Sequence, residues 1–430
     1  MGIVAQEAEI VASFAESLHE LLVQAASGEL SGDELLGSVG SLAERTARSV
    51  TLAASEVAAS HEAAPVCEEC GGRMVRHDRQ ARPLVTRFGE VRYWTQRWRC
   101  RSCGTSACPS LEGLDGRHQC TREVWETAVL LCAWLPFEVA ERFLRRLGVC
   151  LSDNTLQRLT HEVGGERMAQ RELEAAEVMG FRRTLHGERS PERLYVMVDG
   201  FSARVGDRWR EPRVGVVFET AGDVTEDGEA PAAERVSLVT TLGEADEIAA
   251  LLTAETQRRG IGSASEVVLV ADGGNWIWER LSSLVPVGTK VVEILDWYHA
   301  CENLWKAVTA VYGEGGNEVE YERLKRWLWV GRTSEVLDRL EALSERVSGE
   351  ARKAVCNVGE YLREHRGRLN YQARQLAGYH VGSGQVESAC KRLGKRVRGG
   401  GQTWSEDGLK AVLCLLADEL TDPQVRRQAA

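Results

Sequence analysis

Three features of this 430-residue sequence predict a multidomain fold with α+β and α/β parts. Two Cys-x-x-Cys pairs flank an alternating, strand-like stretch. Further on, three strand-like runs are followed by helix, strand, helix, strand and helix. From 301 to 378 the pattern is helical, with no strand signal.

The front, 1–64, reads as an acidic helical arm. "VASFAESLHELLVQA" and "ERTARSVTLAASEVAAS" have helical spacing, many Glu, and only Arg45 and Arg48 as basic residues, and "HEAAP" ends them. A solvated helix pair or a dimerisation element is expected. The first residues lack a basic stretch and a cleavage site, and no apolar run approaches the roughly 18 residues of a membrane span. A cytoplasmic protein with reduced thiols is therefore expected, which makes its 12 cysteines metal ligands or buried thiols rather than disulfides. The net charge of −11 argues against nucleic acid, but "RMVRHDRQARPLVTRFGEVRYWTQRWRCR" and "KRLGKRVRGG" are locally basic, and local patches govern phosphate contact.

Residues 65–110 hold "CEEC" and "CRSCG", each pair at the tight spacing that places two thiolates on adjacent corners of a tetrahedron. With a β-hairpin between them this predicts a zinc ribbon, its closed four-sulfur shell formed by Cys67, Cys70, Cys100 and Cys103 and structural in role. Cys108, Cys120, His77 and His118 are read as unliganded. Arg87, Arg92, Tyr93, Trp94, Arg97 and Trp98 suit a nucleic-acid surface or strand packing.

Residues 120–185 predict three helices, broken at Pro136 and at "GVCLSDN", where Ser152 or Asp153 caps the third, and then a separate polar helix, "ERMAQRELEAAEVMG". The arrangement matches a helix-turn-helix with Asn154, Thr155, Gln157 and Arg158 at the front of the recognition helix, or a plain helical bundle.

Residues 192–300 switch to strand periods: "RLYVMVDGFSAR", "EPRVGVVFET" and "ERVSLVTTL", then a helix, the strand "SEVVLVADGG", a helix, and "TKVVEILDWYHA" running into another helix. That is the ribonuclease H-like order, an antiparallel meander joined to parallel β-α-β units. The all-α stretch 301–378 interrupts this core, and 379–420 closes it.

Asp199 ends "LYVMVD" and Asp272 ends "VVLVAD", so both carboxylates fall beyond strand ends, where ligands of such sheets sit. Each precedes Gly, which is expected to let the chain turn away. Glu387 is the lone acid in the basic stretch "HVGSGQVESACKRLGKRVRGG", where Gly382 and Gly384 are expected to let its helix start close to substrate. Lys391 and Lys395 share the Glu387 face at helical spacing, Arg392 and Arg396 form the next stripe, and Arg398 follows; all five are read as phosphate contacts. Three carboxylates without His or Cys favour Mg2+ or Mn2+ and two-metal phosphodiester chemistry.

Together "VMVDGF", "VLVADGGNWIW", "EILDWYHACENLW" and "GSGQVESACKRL" with "GGGQTWSE" resemble the DDE transposases of bacterial insertion sequences, in the ISKra branch related to the Mutator-like superfamily. The resemblance runs from Cys67 to about Leu415. It implies that Asp199, Asp272 and Glu387 bind two Mg2+ ions, that insertion-sequence ends are cleaved and the 3'-hydroxyl joined to target DNA, and that the protein works near the nucleoid as at least a dimer. It also matches Asp296 and His299 to an Asp-x-x-His signature, read here as a hydrogen-bonded pair fixing the helix start rather than as metal ligands. The resemblance implies that Trp327 or Trp329 of the insertion could stack on a displaced base, although helical tryptophans are mostly core, and Trp276 and Trp278 are read as packing. A DNA-binding regulator without catalysis, and a nuclease of the same fold without strand transfer, are the alternatives.

Overall fold

The computed structural model describes residues 3–61, 64–108, 118–220 and 230–429, and for 3–6, 58–61, 275–276 and 427–429 the backbone alone. The last positions expected of the cysteine unit, 109–110, lie outside the described residues. The chain divides into two compact units, Met1–Thr160 and His161–Ala430, with the boundary inside one helix.

In the first unit the Ala-rich arm forms a helical hairpin, α1 (Ile3–Ala26) and α2 (Gly32–His61). Ser31 and Glu34 start α2 as a capping box: the Glu34 carboxylate accepts from the Ser31 amide at 2.9 Å and hydroxyl at 2.7 Å, and the Glu34 amide donates back to Ser31 Oγ. Strands β1 (Met74–Thr86) and β2 (Gly89–Cys100) form a long antiparallel hairpin that turns at Arg87 and Phe88, with β3 (Ser106–Ala107) added to β2. Arg48 of α2 donates to the Phe88 carbonyl at 2.9 Å, which ties the arm to the hairpin tip. Helices α3 (Arg122–Trp134) and α4 (Phe137–Arg146) meet at Pro136, as its missing N–H requires. Beyond α4, Gly148 adopts φ +78° and the chain re-enters a helix.

That helix, α5 (Asp153–Met179), is a single 27-residue element where the sequence suggested two. Gly164 lets it lie close to its neighbour, since a Cβ there would fall 2.5 Å from the Ala411 carbonyl oxygen.

The second unit is built on a five-stranded mixed sheet. Strand β4 (Arg193–Gly200) is central, and the chain adds a small side hairpin, β5 (Ala203–Val205) and β6 (Arg208–Arg210), which the sequence pattern did not reveal. Strands β7 (Arg213–Thr220) and β8 (Glu234–Thr241) continue an antiparallel meander. After α6 (Ala245–Arg258), β9 (Glu266–Ala271) returns parallel to β4 on its other side; after α7 (Asn275–Leu284), β10 (Lys290–Leu295) lies parallel to β9. The order is β10-β9-β4-β7-β8, and the buried runs Leu194–Val198 in β4 and Val267–Ala271 in β9 reflect cover on both faces. Gly215 leaves room for Leu252 of α6 on one face.

Next come α8 (Trp297–Tyr312), α9 (Glu318–Trp329), α10 (Thr333–Ser344), α11 (Gly349–Glu364) and the short α12 (Tyr371–Leu376), the strand-free stretch expected. Gly331, at φ +80°, separates α9 from α10. The chain returns through α13 (Gly384–Val397), which packs on β4 and β7, α14 (Glu406–Leu420), which packs on β8, and α15 (Pro423–Ala429).

Candidate metal centre and carboxylate site

The two Cys-x-x-Cys turns have one backbone design. In each, the amide of a glycine donates to the first cysteine's carbonyl, Gly71 to Cys67 at 2.8 Å and Gly104 to Cys100 at 3.1 Å. Both glycines have positive φ, +68° and +79°, which other residues rarely adopt. The four sulfurs therefore converge, with Cys67–Cys103 at 3.6 Å and Cys70–Cys100 and Cys70–Cys103 at 3.5 Å. A tetrahedral ion about 2.3 Å from each sulfur sets such edges near 3.8 Å, so the four cysteines could hold a metal ion such as zinc. Met74 and Trp98 close an apolar floor with Cys67 and Cys100. Hydrogen bonds with Thr105 lower the Cys103 thiol to about 6, toward the thiolate a metal requires.

The neighbouring candidates are occupied elsewhere. Cys108 bonds Thr95, Cys120 is fully buried and donates to the His118 carbonyl, and His77 meets Asp78 and Arg97. The arginine-aromatic pattern of the hairpin is only partly a surface: Trp98 is core, Arg97 is paired with Asp78 at 2.7 Å and Arg87 with Glu123 at 3.1 Å, whereas Arg92 and Trp94 are exposed. At the start of α5 it is Ser152 that caps, accepting the Thr155 amide at 3.3 Å and sharing a hydroxyl contact at 3.0 Å, so Thr155 serves the helix start. Asn154, Gln157 and Arg158 are exposed.

In the second unit, sheet register aligns three aspartates. Val198 pairs with Ala271 and Ala271 with Leu295, so Asp199, Asp272 and Asp296 each follow one row of three adjacent parallel positions. Asp199 accepts the Gly200 amide at 2.7 Å and Asp272 the Gly274 amide at 2.9 Å. The glycines after the first two aspartates differ: Gly200 is still paired in β4 and does not turn the chain, whereas the chain bends at Gly273, where a Cβ would also lie 1.9 Å from the Tyr361 ring.

Asp199 is half-buried, and that burial, with repulsion from Asp272, raises its carboxyl above the ordinary range, partly offset by His299. The Cys390 thiol of α13 lies beside it, and burial and Asp199 push that thiol's pKa upward. Cys390 lies one turn after Glu387 on α13, so the two share a face of that helix. Glu387 itself is ion-paired with Lys391 at 2.6 Å and nearly half exposed. Among the described residues only the four cysteines bring three or more ligand atoms within 4.8 Å of one another.

Asp296 is wholly buried and fully engaged. One oxygen accepts the His299 amide at 3.0 Å and its Nδ1–H at 2.5 Å; the other accepts the Ser383 amide at 2.7 Å. The carboxylate raises the His299 imidazole to about 9 despite burial, so the ring is cationic beside Asp199 and Asp272. The Asp296–His299 pair thus has the geometry expected of it.

The basic stretch after Glu387 needs one correction. Arg396 is 5% exposed, with its guanidinium over Trp404 at 5.0 Å. It falls three residues after Leu393, on the face of α13 turned to the core, and is no surface phosphate contact. Lys391, Arg392, Lys395 and Arg398 are exposed, although Arg398 lies over Phe201 at 4.9 Å. Gly382 has Tyr298 against it and Gly384 is open, so close approach at this helix start is to Tyr298.

Several participants were invisible in the sequence. Tyr361 of α11 and His365 just past its end reach Gly273, His365 donating through Nε2–H to its carbonyl at 3.2 Å, while Arg368 donates to His365 Nδ1 and stacks on Trp278. Burial and Arg368 lower the His365 pKa and keep the ring neutral. Trp329 sits against Trp297 and Tyr371, and Trp327 beneath Arg332; Trp278 is buried as expected, and the Trp276 side chain lies outside the described residues.

No protein-family model matches this chain, and no curated protein matches it.

Proposed function

We propose that this chain is a DNA transposase of the DDE type: a ribonuclease H-like core, 192–300 and 379–420, interrupted by the helical insertion and preceded by a zinc ribbon and a helix-turn-helix. The observation that carries the reading is the alignment of Asp199 and Asp272, each one residue after the paired positions Val198 and Ala271 of β4 and β9, with α13 bringing Cys390 to Asp199 and Glu387 one turn away. The strand order supports it, as a meander whose first strand also pairs in parallel with the fourth.

The donor set fits magnesium in kind. Two half-buried aspartates that repel each other favour a bound cation, and hard oxygen donors favour Mg2+ or Mn2+. Asp199 and Asp272 would hold the ions, and Glu387 would join them on release from Lys391. When bound, the metal supplies activation of the attacking oxygen and charge neutralisation at the phosphate. The protein's own contribution is positional: Asp296 fixes the α8 start, the His299 cation offsets the crowded carboxylates, and exposed Lys391, Arg392, Lys395 and Arg398 attract the DNA backbone.

The test is cleavage and strand transfer by the full chain on duplexes from the gene's own flanks, with and without Mg2+. Asp199→Ala, Asp272→Ala and Glu387→Ala should each abolish cut and joined products while end binding persists. Cleavage by any of the three would overturn the assignment. End binding without cleavage by the native chain would favour the regulator, and cuts without joined products the nuclease.

A further inference from the structure

The small hairpin β5–β6 is the far end of the ribbon formed by β4 and β7. Gly200 pairs with Arg213, Ala203 with Arg210, Arg204 with Trp209 and Val205 with Arg208, all in one register, and between them the Phe201 amide donates to the Pro212 carbonyl at 3.1 Å. The ribbon therefore continues past the end of the sheet where Asp199 and Asp272 stand. Arg204 is five residues beyond Asp199, so even a fully extended chain keeps the two backbones within about 18 Å.

Burial sorts the side chains of this tip. Ala203 and Val205 turn inward, where the loop after α13 holds the hairpin: the Trp404 amide donates to the Arg204 carbonyl at 3.2 Å, the Gly206 amide to the Trp404 carbonyl at 3.0 Å, and the Thr403 hydroxyl to the Gly206 carbonyl at 2.9 Å. Pleating puts the cross-strand partners Arg204 and Trp209 together on the other face. Trp209 is 69% exposed, and Arg204, Arg208 and Arg210 around it are exposed as well. Asp207 is the one acid of the hairpin, and the next, Glu211, lies against Gly200. Arg210 reaches the Leu242 carbonyl at 3.2 Å and approaches Glu406 at 3.9 Å, whereas among the described residues no carboxylate pairs with Arg204 or Arg208.

We infer that this tip binds single-stranded DNA, with Trp209 stacked on an unpaired base and Arg204 and Arg208 on the phosphates to either side. An indole left in water by its own unit buries nothing for the fold, and the face of a base is the flat surface that fits it. Three arginines against one aspartate supply the local charge that a DNA backbone requires, on a chain whose net charge of −11 repels it elsewhere. An acidic peptide would satisfy the arginines but offers no base to the indole. The bonds to Thr403 and Trp404 hold the platform in place, so little order has to be gained on binding. The tip belongs to the ribbon of the five-stranded sheet and not to the helical insertion. The inference does not rest on the transposase reading, because binding a single strand needs neither metal nor cleavage.

Fluorescence anisotropy of the full chain with a labelled oligothymidylate, in EDTA and at several salt concentrations, tests it. The native chain should bind, Trp209→Ala should weaken binding about 10-fold, and Trp209→Phe should keep most of it. Arg204→Ala with Arg208→Ala should lower the slope of log affinity on log salt by about 1.4, the value for two single-strand phosphate contacts. An abasic strand of equal length should bind the native and Trp209→Ala chains alike, because it carries charge without a base to stack. No binding by the native chain, equal binding by Trp209→Ala, or a loss that persists on the abasic strand would each overturn the inference. A lowered urea midpoint in Trp209→Ala would also overturn it, by showing that the indole packs against the rest of the chain. So would a polyglutamate peptide that displaces the oligonucleotide as well as unlabelled strand does, which would assign the tip to an acidic protein. Loss or retention of Mg2+-dependent cleavage bears only on the carboxylate site.

Discussion

The Asp296 carboxylate accepts the Ser383 amide at 2.7 Å across 87 positions of sequence, the whole length of the helical insertion. Beside it, the Trp297 amide donates to the Val381 carbonyl at 3.0 Å. The chain therefore leaves the sheet at 296 and re-enters at 383 through one buried carboxylate, and the Glu387 helix starts from that junction. Replacing Asp296 by Ala strands the Ser383 and His299 amides in a buried site, for an expected cost of about 3 kcal/mol. A lowered urea midpoint with unchanged slope would record it, and an unchanged midpoint would refute the junction.

The same carboxylate sets a pH dependence. His299 has its pKa raised from 6.5 to about 9, so its contribution is complete below about pH 6.5 and is lost as pH rises toward 9. Asp296 is shifted the other way, and its contribution is lost only as pH falls through its lowered value. The ring is partly exposed, so after screening the alkaline loss is about 1 to 2 kcal/mol. Unfolding measured from pH 6 to 9.5 without divalent ions should show this decline, and His299→Gln should flatten it.

Removal of any one of Cys67, Cys70, Cys100 or Cys103 should reduce bound zinc from one equivalent to none. The Trp98 emission should shift with it, because Trp98 packs against Cys67 and Cys100. Structural zinc contributes on the order of 10 kcal/mol, more than a small hairpin can lose. Cys108→Ser and Cys120→Ser should keep full zinc content by elemental analysis.

Gly273→Ala places a methyl 1.9 Å from the Tyr361 ring, an overpacking cost of about 1 to 3 kcal/mol. Tyr361→Ala in the same chain should recover part of that loss, and a double-mutant cycle measures the coupling. Additive losses would mean that α11 does not rest on the Asp272 loop.

Lys391→Ala frees Glu387 of its ion pair. If Lys391 competes with Mg2+ for that carboxylate, the variant should reach half-maximal cleavage at several-fold lower Mg2+. A higher requirement would show that the lysine aids the metal-bound state.

Local chemistry was enough to determine a good deal. Cys-x-x-Cys turns with following glycines, the Pro136 break, a cap at Ser152 or Asp153, and the change from helical to strand period at 192 are each decided within a few residues, where backbone sterics and spacing dominate. The succession of strands and helices in the second unit, apart from the β5–β6 hairpin, was legible, and Asp199 and Asp272 could be named directly.

What only the tertiary structure decided depends on atoms far apart in sequence. The third helix and the polar helix after it read as two elements, yet α5 runs through both, with Gly164 packed against Ala411. Arg396 reads as surface charge until α13 turns it onto Trp404. Cys390 beside Asp199, Tyr361 over Gly273 and Ser383 on Asp296 join positions 87 to 191 apart, and no periodicity encodes such pairs. The carboxylates that define the proposed chemistry are thus legible one by one. Their register and neighbours, and the charge each carries, come from burial and from the sheet that aligns them.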